Sequence, residues 1–430
     1  MKKINIGLIG FGTIGSGVAK ALIERRSSIR EKTGVDLVLK RICDKDLKTK
    51  RPVKVPRSIL TKSAGKVLYD PDIDIVIELM GGITPAKDFV LEALRNGKHV
   101  VTANKAMLSE CGKEVFGLAN TLGLSVGFEA SVGGGIPIIR ALNEGFVANK
   151  FDLICGIING TSNFILTKMA EEGLGFREAL KLAQEAGYAE RDPYLDISGG
   201  DSRHKLAILA LLGFGATAAP GDIYTEGIVG IEPEDIRYAK EAGYSIKLLA
   251  IAKMSGGALE LRVHPTLIAN SHLLTNVGGV YNAIFVRGDL IGENLFYGQG
   301  AGALPTSSAV VSDVVAIAKT ISGKCRKCRT IGAAGESAIK VRSMDEIKTR
   351  FYVRFSTVDK PGVLAKISGV LAKYKISIAS VIQKEKRGSA PVPIIMMTYD
   401  AFEKDMKRAL KEIDALGIVK KKSVRIRIEG

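Results

Sequence analysis

The hydrophobic positions in the first 130 residues form short apolar runs, separated by stretches in which apolar residues recur at helical spacing. Short apolar runs of this kind are typical of strands that are buried on both faces, and the intervening helices would cover a parallel sheet. The predicted strands are Lys3–Ile9, Val35–Cys43, Asp74–Leu79, Gly97–Thr102 and Ser125–Ala130. The pattern therefore predicts an α/β domain of the Rossmann type.

A glycine-rich turn joins the first predicted strand to the first helix. Its sequence, GFGTIG, consists of Gly10, Phe11, Gly12, Thr13, Ile14 and Gly15. Glycines at this spacing allow a tight turn and a close approach of the backbone to a pyrophosphate, which the helix N-terminus attracts. We therefore predict that these six residues bind NAD or NADP.

Two residues at the end of the second predicted strand bear on the choice of cofactor. Asp44 stands where an acidic residue normally accepts a hydrogen bond from the ribose 2′-hydroxyl of NAD. Lys45 follows directly and could instead meet the 2′-phosphate of NADP. Asp44 could also be an ordinary turn residue, so the sequence leaves the preference open.

Lys105 follows the predicted strand that ends at Thr102. In an open parallel sheet, ligands bind at the carboxyl ends of the strands. We therefore expect Lys105 near the nicotinamide, with a plain surface lysine as the alternative.

The chain beyond residue 150 shows two further patterns. A second α/β layer extends to about residue 320, and its last apolar helix would return to the first domain. A βαββαβ order follows after residue 350, which is typical of a small ferredoxin-like module. The predicted segments are 1–135 (nucleotide-binding domain), 136–322 (second domain, α+β), 323–349 (linker) and 350–430 (C-terminal module).

The stretch GYAERDPYLDISGGDSRHK, residues 187–205, concentrates charge directly before an apolar helix. It carries Glu190, Asp196 and Asp201, and it ends at Lys205. A lysine that enters an apolar helix beside a carboxylate is a candidate proton carrier, because burial lowers its pKa and the carboxylate raises it. The alternative is a solvated loop in which Asp201 caps the helix.

A second glycine-rich turn, SVGGGIP at residues 131–137, is too irregular for a helix or strand. Such a turn exposes backbone carbonyls, which suit a monovalent or other hard cation. A plain crossover between domains is the alternative.

Composition narrows the functional classes. The formal net charge is +17, but Lys and Arg are spread along the whole chain, which argues against a nucleic-acid-binding surface. No apolar stretch reaches the length of a membrane span, and no signal-peptide pattern is present, so we expect a cytoplasmic protein without membrane contact. Cys325 and Cys328 form a lone CxxC pair, which we interpret as inert, with a redox or metal role as the alternative.

Six motifs together resemble the homoserine dehydrogenase family over residues 1 to about 322. They occur in the family's order: GFGTIG, VTANKAML, EASVGGGIPII, GIINGTSNFIL, GYAERDPYLDISGGDSRHKLAILA and GQGAGALPTSSAVVSDV. The tail, with DKPGVLAKI, looks like an ACT domain, an amino-acid-sensing module. The basic CRKCR segment is not part of this pattern.

The resemblance implies NAD(P)H-linked interconversion of L-aspartate 4-semialdehyde and L-homoserine, in the biosynthesis of threonine, methionine and isoleucine. It implies that Lys205 transfers a proton, that Lys105 is the second active-site lysine and that Glu190 holds the substrate ammonium. Asp196 and Asp201 match acidic positions of the substrate pocket. The remaining implied contacts are a sodium site at the backbone carbonyls of Glu129, Val132, Gly134 and Ile136, and cofactor contacts at Gly187 and Gly302.

The C-terminal module predicts regulation. Asp359 and Gly362 lie between its first strand and a helix N-terminus, which suits an amino-acid carboxylate, most plausibly that of threonine. A dimerisation prop that binds nothing is the alternative. We expect two modules to pair edge to edge, the protein to form a homodimer or homotetramer, and a chain truncated before Arg350 to stay active but lose its response to threonine.

Two rival functions remain at this stage. One is another NAD(P)-linked oxidoreductase that acts on an amino-acid aldehyde. The other is a non-catalytic, nucleotide-bound amino-acid sensor, although a sensor has no need for the set formed by Lys105, Glu190, Asp201 and Lys205. Turnover of homoserine with NAD⁺ or NADP⁺ discriminates between them.

Overall fold

The N-terminal part of the chain folds as the alternating pattern predicts. In the computed structural model, its strands form one parallel sheet in the order β3-β2-β1-β4-β5-β6. This is the strand order of a classic dinucleotide-binding fold, and it confirms the Rossmann-type prediction. The elements are β1 (Lys3–Ile9), α1 (Thr13–Glu24), α2 (Arg26–Thr33), β2 (Asp36–Cys43), β3 (Leu60–Thr61), α3 (Gly65–Leu68), β4 (Ile75–Glu78), α4 (Ala86–Arg95), β5 (His99–Thr102), α5 (Lys105–Thr121) and β6 (Val126–Gly127).

The structure describes residues 2–324, 339–383 and 391–429. The chain divides into two compact units, each of which gathers three separate stretches of sequence. The first unit comprises Met1–Ile154, His204–Gly221 and Asn282–Ile339, and the second unit comprises Cys155–Arg203, Asp222–Tyr281 and Lys340–Gly430. Cys325 and Cys328, and most of the predicted linker, lie outside the described residues.

The middle of the chain supplies helices and long strands to both units. Its elements are α6 (Ile138–Arg140), β7 (Phe151–Ile157), α7 (Gly160–Glu172), α8 (Phe176–Glu185), α9 (Tyr194–Ile197), α10 (Gly200–Phe214), β8 (Tyr224–Thr225), α11 (Pro233–Glu241), β9 (Tyr244–Ser255), β10 (Ala258–Ala269), β11 (Tyr281–Gly288), β12 (Gly292–Gln299) and α12 (Ala303–Ile321). In the second unit, β9 and β10 pair antiparallel along their full length. Long antiparallel strands together with helices agree with the predicted α+β character of this part.

The strand predicted at Ser125–Ala130 is much shorter than expected. Only Val126 and Gly127 are extended, and a 3₁₀ turn follows at Glu129–Ser131. The cause is nonlocal: the Glu129 N–H donates to the Asp313 carboxylate at 2.8 Å, and a side chain at Gly127 would collide with Asp313. The apolar pattern alone carries no sign of this contact.

Helix α12 returns to the first unit and completes the core of the nucleotide-binding sheet, as the sequence predicts. Val310, Val314 and Ile317 are buried with residues of β1, β2 and α1 in one cluster. A methyl group at Gly17 of α1 would lie only 2.5 Å from the Ser307 hydroxyl, so the two helices approach closely. By length and composition α12 is apolar enough to cross a membrane. However, its packing against β1, β2 and α1 is that of a helix in a protein core.

The C-terminal module has the predicted ferredoxin-like order, with strands arranged β17-β13-β15-β14. Its elements are β13 (Lys348–Thr357), α13 (Val363–Lys373), β14 (Ile378–Gln383), β15 (Val392–Thr398), β16 (Ala401–Phe402), α14 (Glu403–Asp414) and β17 (Val419–Glu429). Residues of both helices pack on one face of the sheet, with Phe351, Phe355, Ile367, Met396, Met406 and Ile413 almost fully buried.

One edge of this module is already occupied. Strand β17 pairs in parallel with β10 of the same unit, over residues Arg427–Glu429. The buried Arg262 of β10 forms an ion pair across this junction with Glu429 of β17, and a second one within β10 with Glu260. The module is therefore built into the sheet of the second unit, which revises the expectation that truncation before Arg350 leaves an otherwise intact enzyme. Among the described strands of the module, β14 ends the row and keeps an open edge.

Candidate functional site

The three glycines of the GFGTIG turn have three different roles in the structure. Gly10 has φ +98°, and a Cβ there would lie 2.6 Å from the Leu79 carbonyl oxygen. A Cβ at Gly15 would lie 2.0 Å from the Gly10 carbonyl oxygen, so α1 packs directly on the turn. A Cβ at Gly12 would face open space, where a ligand backbone can approach. This cradle fits the pyrophosphate of a dinucleotide.

Asp44 lies beside this turn at the end of β2. Its carboxylate accepts the Phe11 N–H at 2.5 Å and the Asp46 N–H at 2.7 Å. Asp44 thus braces the turn, and its position also suits a ribose hydroxyl. Lys45 is exposed next to it. The guanidinium of Arg51, which the sequence analysis did not single out, lies 5.9 Å from the centre of the Phe11 ring.

A buried carboxyl holds the ends of β4 and β5 together. Glu78 is fully buried; it accepts the Thr102 hydroxyl and the Met80 N–H, both at 2.6 Å. Burial raises the pKa of Glu78, although the hydrogen bonds from Thr102 and Met80 oppose this. The sequence analysis included this glutamate only as part of the predicted strand Asp74–Leu79.

Lys105 is the first residue of α5, directly beyond β5. The helix is capped by Asn104, whose side-chain oxygen accepts the Met107 N–H at 3.1 Å. The Asn104 amide also donates to the Gly82 carbonyl at 2.7 Å, which ties the cap to the end of β4. Lys105 is half-buried at the carboxyl edge of the sheet, in the position predicted for it.

The turn at residues 131–137 is irregular, as the sequence predicts. Gly133 and Gly134 both have positive φ, +73° and +56°, so consecutive peptides turn sharply between Val132 and Ile136. The Glu129 carboxylate is buried and accepts the N–H groups of Ile139 and Arg140 at 2.8 and 2.9 Å. Within the described residues, no group of three or more His, Cys, Asp or Glu side chains is placed to hold a metal ion. A cation here would depend on the backbone carbonyls.

The turn at residues 131–137 packs on another glycine-rich loop of the first unit, around Gly300. A Cβ at Gly134 would lie 2.5 Å from the Gly300 carbonyl oxygen, and one at Gly300 would lie 1.9 Å from the amide nitrogen of Asn282. Gly302, with φ +119°, then starts α12. Asn282 is 1% exposed, and neither of its amide atoms has a partner among the described residues. The turn at residues 131–137 thus contacts the Gly300 loop, and the Gly300 loop lies against the buried amide of Asn282.

The acidic stretch of the second unit forms a hydrogen-bonded cluster around Asn159. The Asn159 amide donates to the Asp196 carboxylate at 2.7 Å and to the Asp201 carboxylate at 2.9 Å. Its side-chain oxygen accepts the Ser162 N–H at 2.8 Å, which caps α7. The structure therefore brings two of the three predicted acidic residues together. The sequence analysis quoted Asn159 only within the motif GIINGTSNFIL.

Glu190 and Gly187 lie in the loop before α9. The Glu190 side chain is exposed, and its carbonyl oxygen accepts the Gln184 amide at 3.2 Å. Gly187 is exposed with φ +73° and ends the turn after α8. Both residues therefore keep surfaces that a small ligand can reach.

Helix α10 carries Asp201 in its first turn and Lys205 one turn later. Residues four apart lie on one face of a helix. Asp201 is 3% exposed and Lys205 is 7% exposed, so both ionisable groups are buried, as the pattern of an acidic loop feeding an apolar helix predicts. The preceding loop, from Gly187 to Asp192, is exposed apart from Ala189, as the alternative of a solvated loop expects.

The proposed effector loop of the C-terminal module has the expected backbone geometry. Gly362 is the N-cap of α13 and has φ +85°, and the Lys366 N–H donates to its carbonyl at 3.0 Å. Asp359 is exposed three residues earlier. The N-terminal end of α13 therefore faces solvent.

Three buried polar residues were not singled out by the sequence analysis: Glu78 and Asn282 in the first unit, and Asn159 in the second. Each is a polar residue inside or beside an apolar strand, and each is at most 5% exposed. A lone polar residue in an apolar run is the signal that could have found them, because such residues are buried only with a reason.

Comparison with known protein families matches nearly the whole chain. Residues 137–315 match the family described as homoserine dehydrogenase, and residues 10–129 match the homoserine dehydrogenase NAD-binding domain. Residues 351–418 match the ACT domain.

Individual relatives agree with these family matches. The chain is 44% identical over 433 residues to a homoserine dehydrogenase of Neisseria gonorrhoeae, covering 100% of this chain and 99% of the relative. The crystal structure of a homoserine dehydrogenase from Thiobacillus denitrificans superposes with a TM-score of 0.93 at 42% identity, covering 100% and 99% of the two chains. A hyperthermophilic archaeal homoserine dehydrogenase in complex with NADPH superposes with a TM-score of 0.61 at 26% identity, covering 76% of this chain and 100% of that one.

Proposed function

The chain belongs to the homoserine dehydrogenase family of oxidoreductases, and we propose from this premise that it reversibly reduces L-aspartate 4-semialdehyde to L-homoserine with NADH or NADPH. The reaction would serve the synthesis of threonine, methionine and isoleucine. The observation that carries this proposal is the buried pair on α10, Asp201 and Lys205, beside a hydrogen-bonded acidic loop.

The two lysines account for the charge that develops during the reduction. When the nicotinamide cofactor is bound, it supplies the hydride that reaches the aldehyde carbon. Lys205 donates a proton to the oxygen as this becomes a hydroxyl, and it takes the proton back in the reverse direction. Lys105 places a positive charge near the same oxygen and so stabilises the developing alkoxide.

The acidic residues suit a substrate that carries an ammonium group. Glu190 offers an exposed carboxylate to this ammonium. Asp196 and Asp201 are fixed by the Asn159 amide, so their remaining oxygens have defined directions. We assign Asp196 to the substrate pocket and Asp201 to the support of Lys205, whose side chain lies on the same face of α10.

The cofactor would lie on the GFGTIG turn, residues Gly10 to Gly15, with Gly187 and Gly302 as further contacts. Gly12 supports this assignment, because its open side lets a pyrophosphate reach the backbone. A monovalent cation, sodium in the family pattern, would bind the backbone carbonyls of Glu129, Val132, Gly134 and Ile136. The nearby Glu129 carboxylate fits a cation there, although burial raises its pKa.

The experiment that tests the proposal is a steady-state assay of homoserine oxidation with NAD⁺ and with NADP⁺. We expect turnover with at least one cofactor. A protein that binds either cofactor but oxidises no homoserine contradicts the proposal.

Asp44 is expected to favour NAD. Asp44→Ala should weaken NAD⁺ binding by roughly 10- to 150-fold, because a carboxylate hydrogen bond to a hydroxyl is worth about 1.5–3 kcal/mol. NADP⁺ binding should stay the same or strengthen, because the carboxylate that is removed repels its 2′-phosphate. Equilibrium dissociation constants for both cofactors measure this.

Asp46→Ala is the matched control, because Asp46 also braces the loop, through the N–H groups of Lys48 and Thr49. An unchanged ratio of the two constants in Asp44→Ala would mean that Asp44 is a turn residue only.

Feedback regulation would act through the C-terminal module. We propose that threonine binds where Asp359 and Gly362 precede α13, because the helix N-terminus attracts a carboxylate and Asp359 can pair with an ammonium. Millimolar threonine is expected to lower activity and to raise the melting temperature, and Asp359→Ala should reduce both effects. If neither activity nor melting temperature responds to threonine, that effector is wrong, and the other amino acids derived from aspartate are tested in the same way.

Assembly and location follow the family pattern. We propose a cytoplasmic homodimer or homotetramer, because closed two-fold symmetry is the commonest way to cover exposed sheet surfaces.

A further inference from the structure

A short segment of the second unit, residues 224–228, contacts two functionally different parts of that unit. We call it the connecting segment; it comprises β8 and the three residues that follow. On one side it meets Arg427 of β17, whose guanidinium donates to the Glu226 carboxylate at 2.8 Å and to the Tyr224 hydroxyl at 2.9 Å. The Tyr224 hydroxyl in turn donates to Glu226 at 2.8 Å. The three side chains form a closed hydrogen-bonded triangle.

On its other side, the connecting segment lies against the acidic loop. The Ile228 N–H donates to the Ile197 carbonyl at 2.9 Å. A Cβ at Gly227 would lie 2.1 Å from the same carbonyl oxygen and 2.7 Å from the Cα of Ser198, so the two backbones are in direct contact. Ile197 directly follows Asp196, which is bound to Asn159. These contacts with the connecting segment therefore fix the position of the backbone that carries Asp196.

Arg427 takes its position from the C-terminal module. It is fully buried and makes two hydrogen bonds, at 2.7 and 3.0 Å, to the equally buried Glu403 at the start of α14. Burial alone would raise the pKa of Glu226, but the charge and hydrogen bond of Arg427 lower it. Glu226 is thus held as a carboxylate by an arginine that cannot move without α14 and β17.

The connecting segment also has space on one side. A cavity of about 850 Å³ lies between it, α14 and β17. Its lining includes Glu226, Gly227, Leu410, Lys411 and Val424. A segment that is packed on all sides resists displacement, whereas this one can shift towards the cavity when the Arg427 contact is lost.

We propose that Glu226 and Gly227 are positioning residues, through which Arg427 of the C-terminal module fixes the loop that carries Asp196 and Asp201. The proposal rests on the proposed function, since that function assigns this loop to the substrate. It states which contacts would carry a change in the module to the substrate pocket, and it needs no particular effector.

The test compares two carboxylates that bind buried arginines of the same sheet. Glu226 binds Arg427, and Glu232 binds Arg354 of β13 at 2.7 Å. Their side chains are similarly exposed, 36% and 47%. Glu232 lies at the start of α11, whereas the backbone beside Glu226 contacts the acidic loop. Glu232→Gln is therefore a matched control for Glu226→Gln.

Glu226→Gln is expected to raise KM for homoserine roughly tenfold, the size of effect typical when a hydrogen bond to a charged group is weakened. KM for the cofactor and kcat should stay within about twofold. Glu232→Gln should leave all three constants within the same range. Tyr224→Phe, which removes only one hydroxyl, is a milder second variant should Glu226→Gln fail to fold.

Hydrogen exchange of residues 194–203 gives a readout that does not depend on turnover. Glu226→Gln is expected to speed exchange there at least several-fold, and Glu232→Gln is not. Equal effects of both substitutions, or no effect of Glu226→Gln on either readout, overturn the proposal. Failure of the wild-type chain to oxidise homoserine instead overturns the proposed function, while the exchange result still decides the positioning role.

Discussion

Replacing Lys205 with methionine is expected to lower kcat by about 10²–10⁴-fold, which is the usual contribution of a positioned general acid. Methionine keeps the length and most of the volume of the buried side chain, so the fold should survive. Cofactor affinity should be unchanged, because Lys205 is assigned to the substrate oxygen. Steady-state kinetics and a cofactor titration measure the two quantities.

A matched control is available in the second unit. Lys247 is 7% exposed, as Lys205 is, and it donates to the Val277 carbonyl at 2.7 Å. Burial lowers the pKa of Lys247 to about 8. Lys247→Met thus removes a comparably buried ammonium outside the proposed site and should leave kcat within about twofold. A Lys205→Met enzyme that retains most of its kcat at neutral pH would remove Lys205 from proton transfer.

Truncation before Arg350 is expected to destabilise the second unit severely, in contrast to the expectation from sequence. The truncated chain loses the strand beside β10, and Arg262, which is 1% exposed, loses Glu429. Arg262 keeps Glu260 at 3.2 Å but loses the second of its two carboxylates, and breaking a buried ion pair costs about 3–5 kcal/mol. At about 2–4 °C per kcal/mol for large domains, the melting temperature should fall by roughly 10 °C or more.

A second truncated chain separates the two causes of this loss. Adding Arg262→Met to the truncation removes the arginine that has lost Glu429, while Glu260 keeps Arg342 at 3.6 Å, and it should recover part of the lost melting temperature. A truncated chain that melts with the full-length protein would show that β17 is only an accessory strand.

The local sequence patterns were sufficient to predict the fold of the nucleotide-binding domain. GFGTIG lies between a strand and a helix, and two of its glycines, Gly10 and Gly15, are required by atoms within the first 80 residues. Lys105 and Lys205 were likewise predictable, because one follows a buried strand and the other enters an apolar helix. In these cases the determining contacts are close in sequence, so the pattern contains them.

The features that the sequence did not reveal depend on contacts between distant residues. The early end of β6 is caused by Asp313, which lies 184 positions from Glu129. Asn159 gathers Asp196 and Asp201 across about 40 residues. The pairing of β17 with β10 joins strands that the sequence places in separate predicted domains. Periodicity assigns a residue to a face of its own element, but it does not say which other element covers that face.

The return of α12 to the first unit has a consequence for synthesis of the protein on the ribosome. The sheet of the nucleotide-binding domain is complete at Gly127, but its core includes Val310, Val314 and Ile317 of α12. At about 5–20 residues per second, these residues emerge roughly 10–40 s after the last strand. During that interval the apolar surface of β1, β2 and α1 that α12 covers is exposed, so the nascent chain offers a binding surface to chaperones until Ala303–Ile321 has been translated.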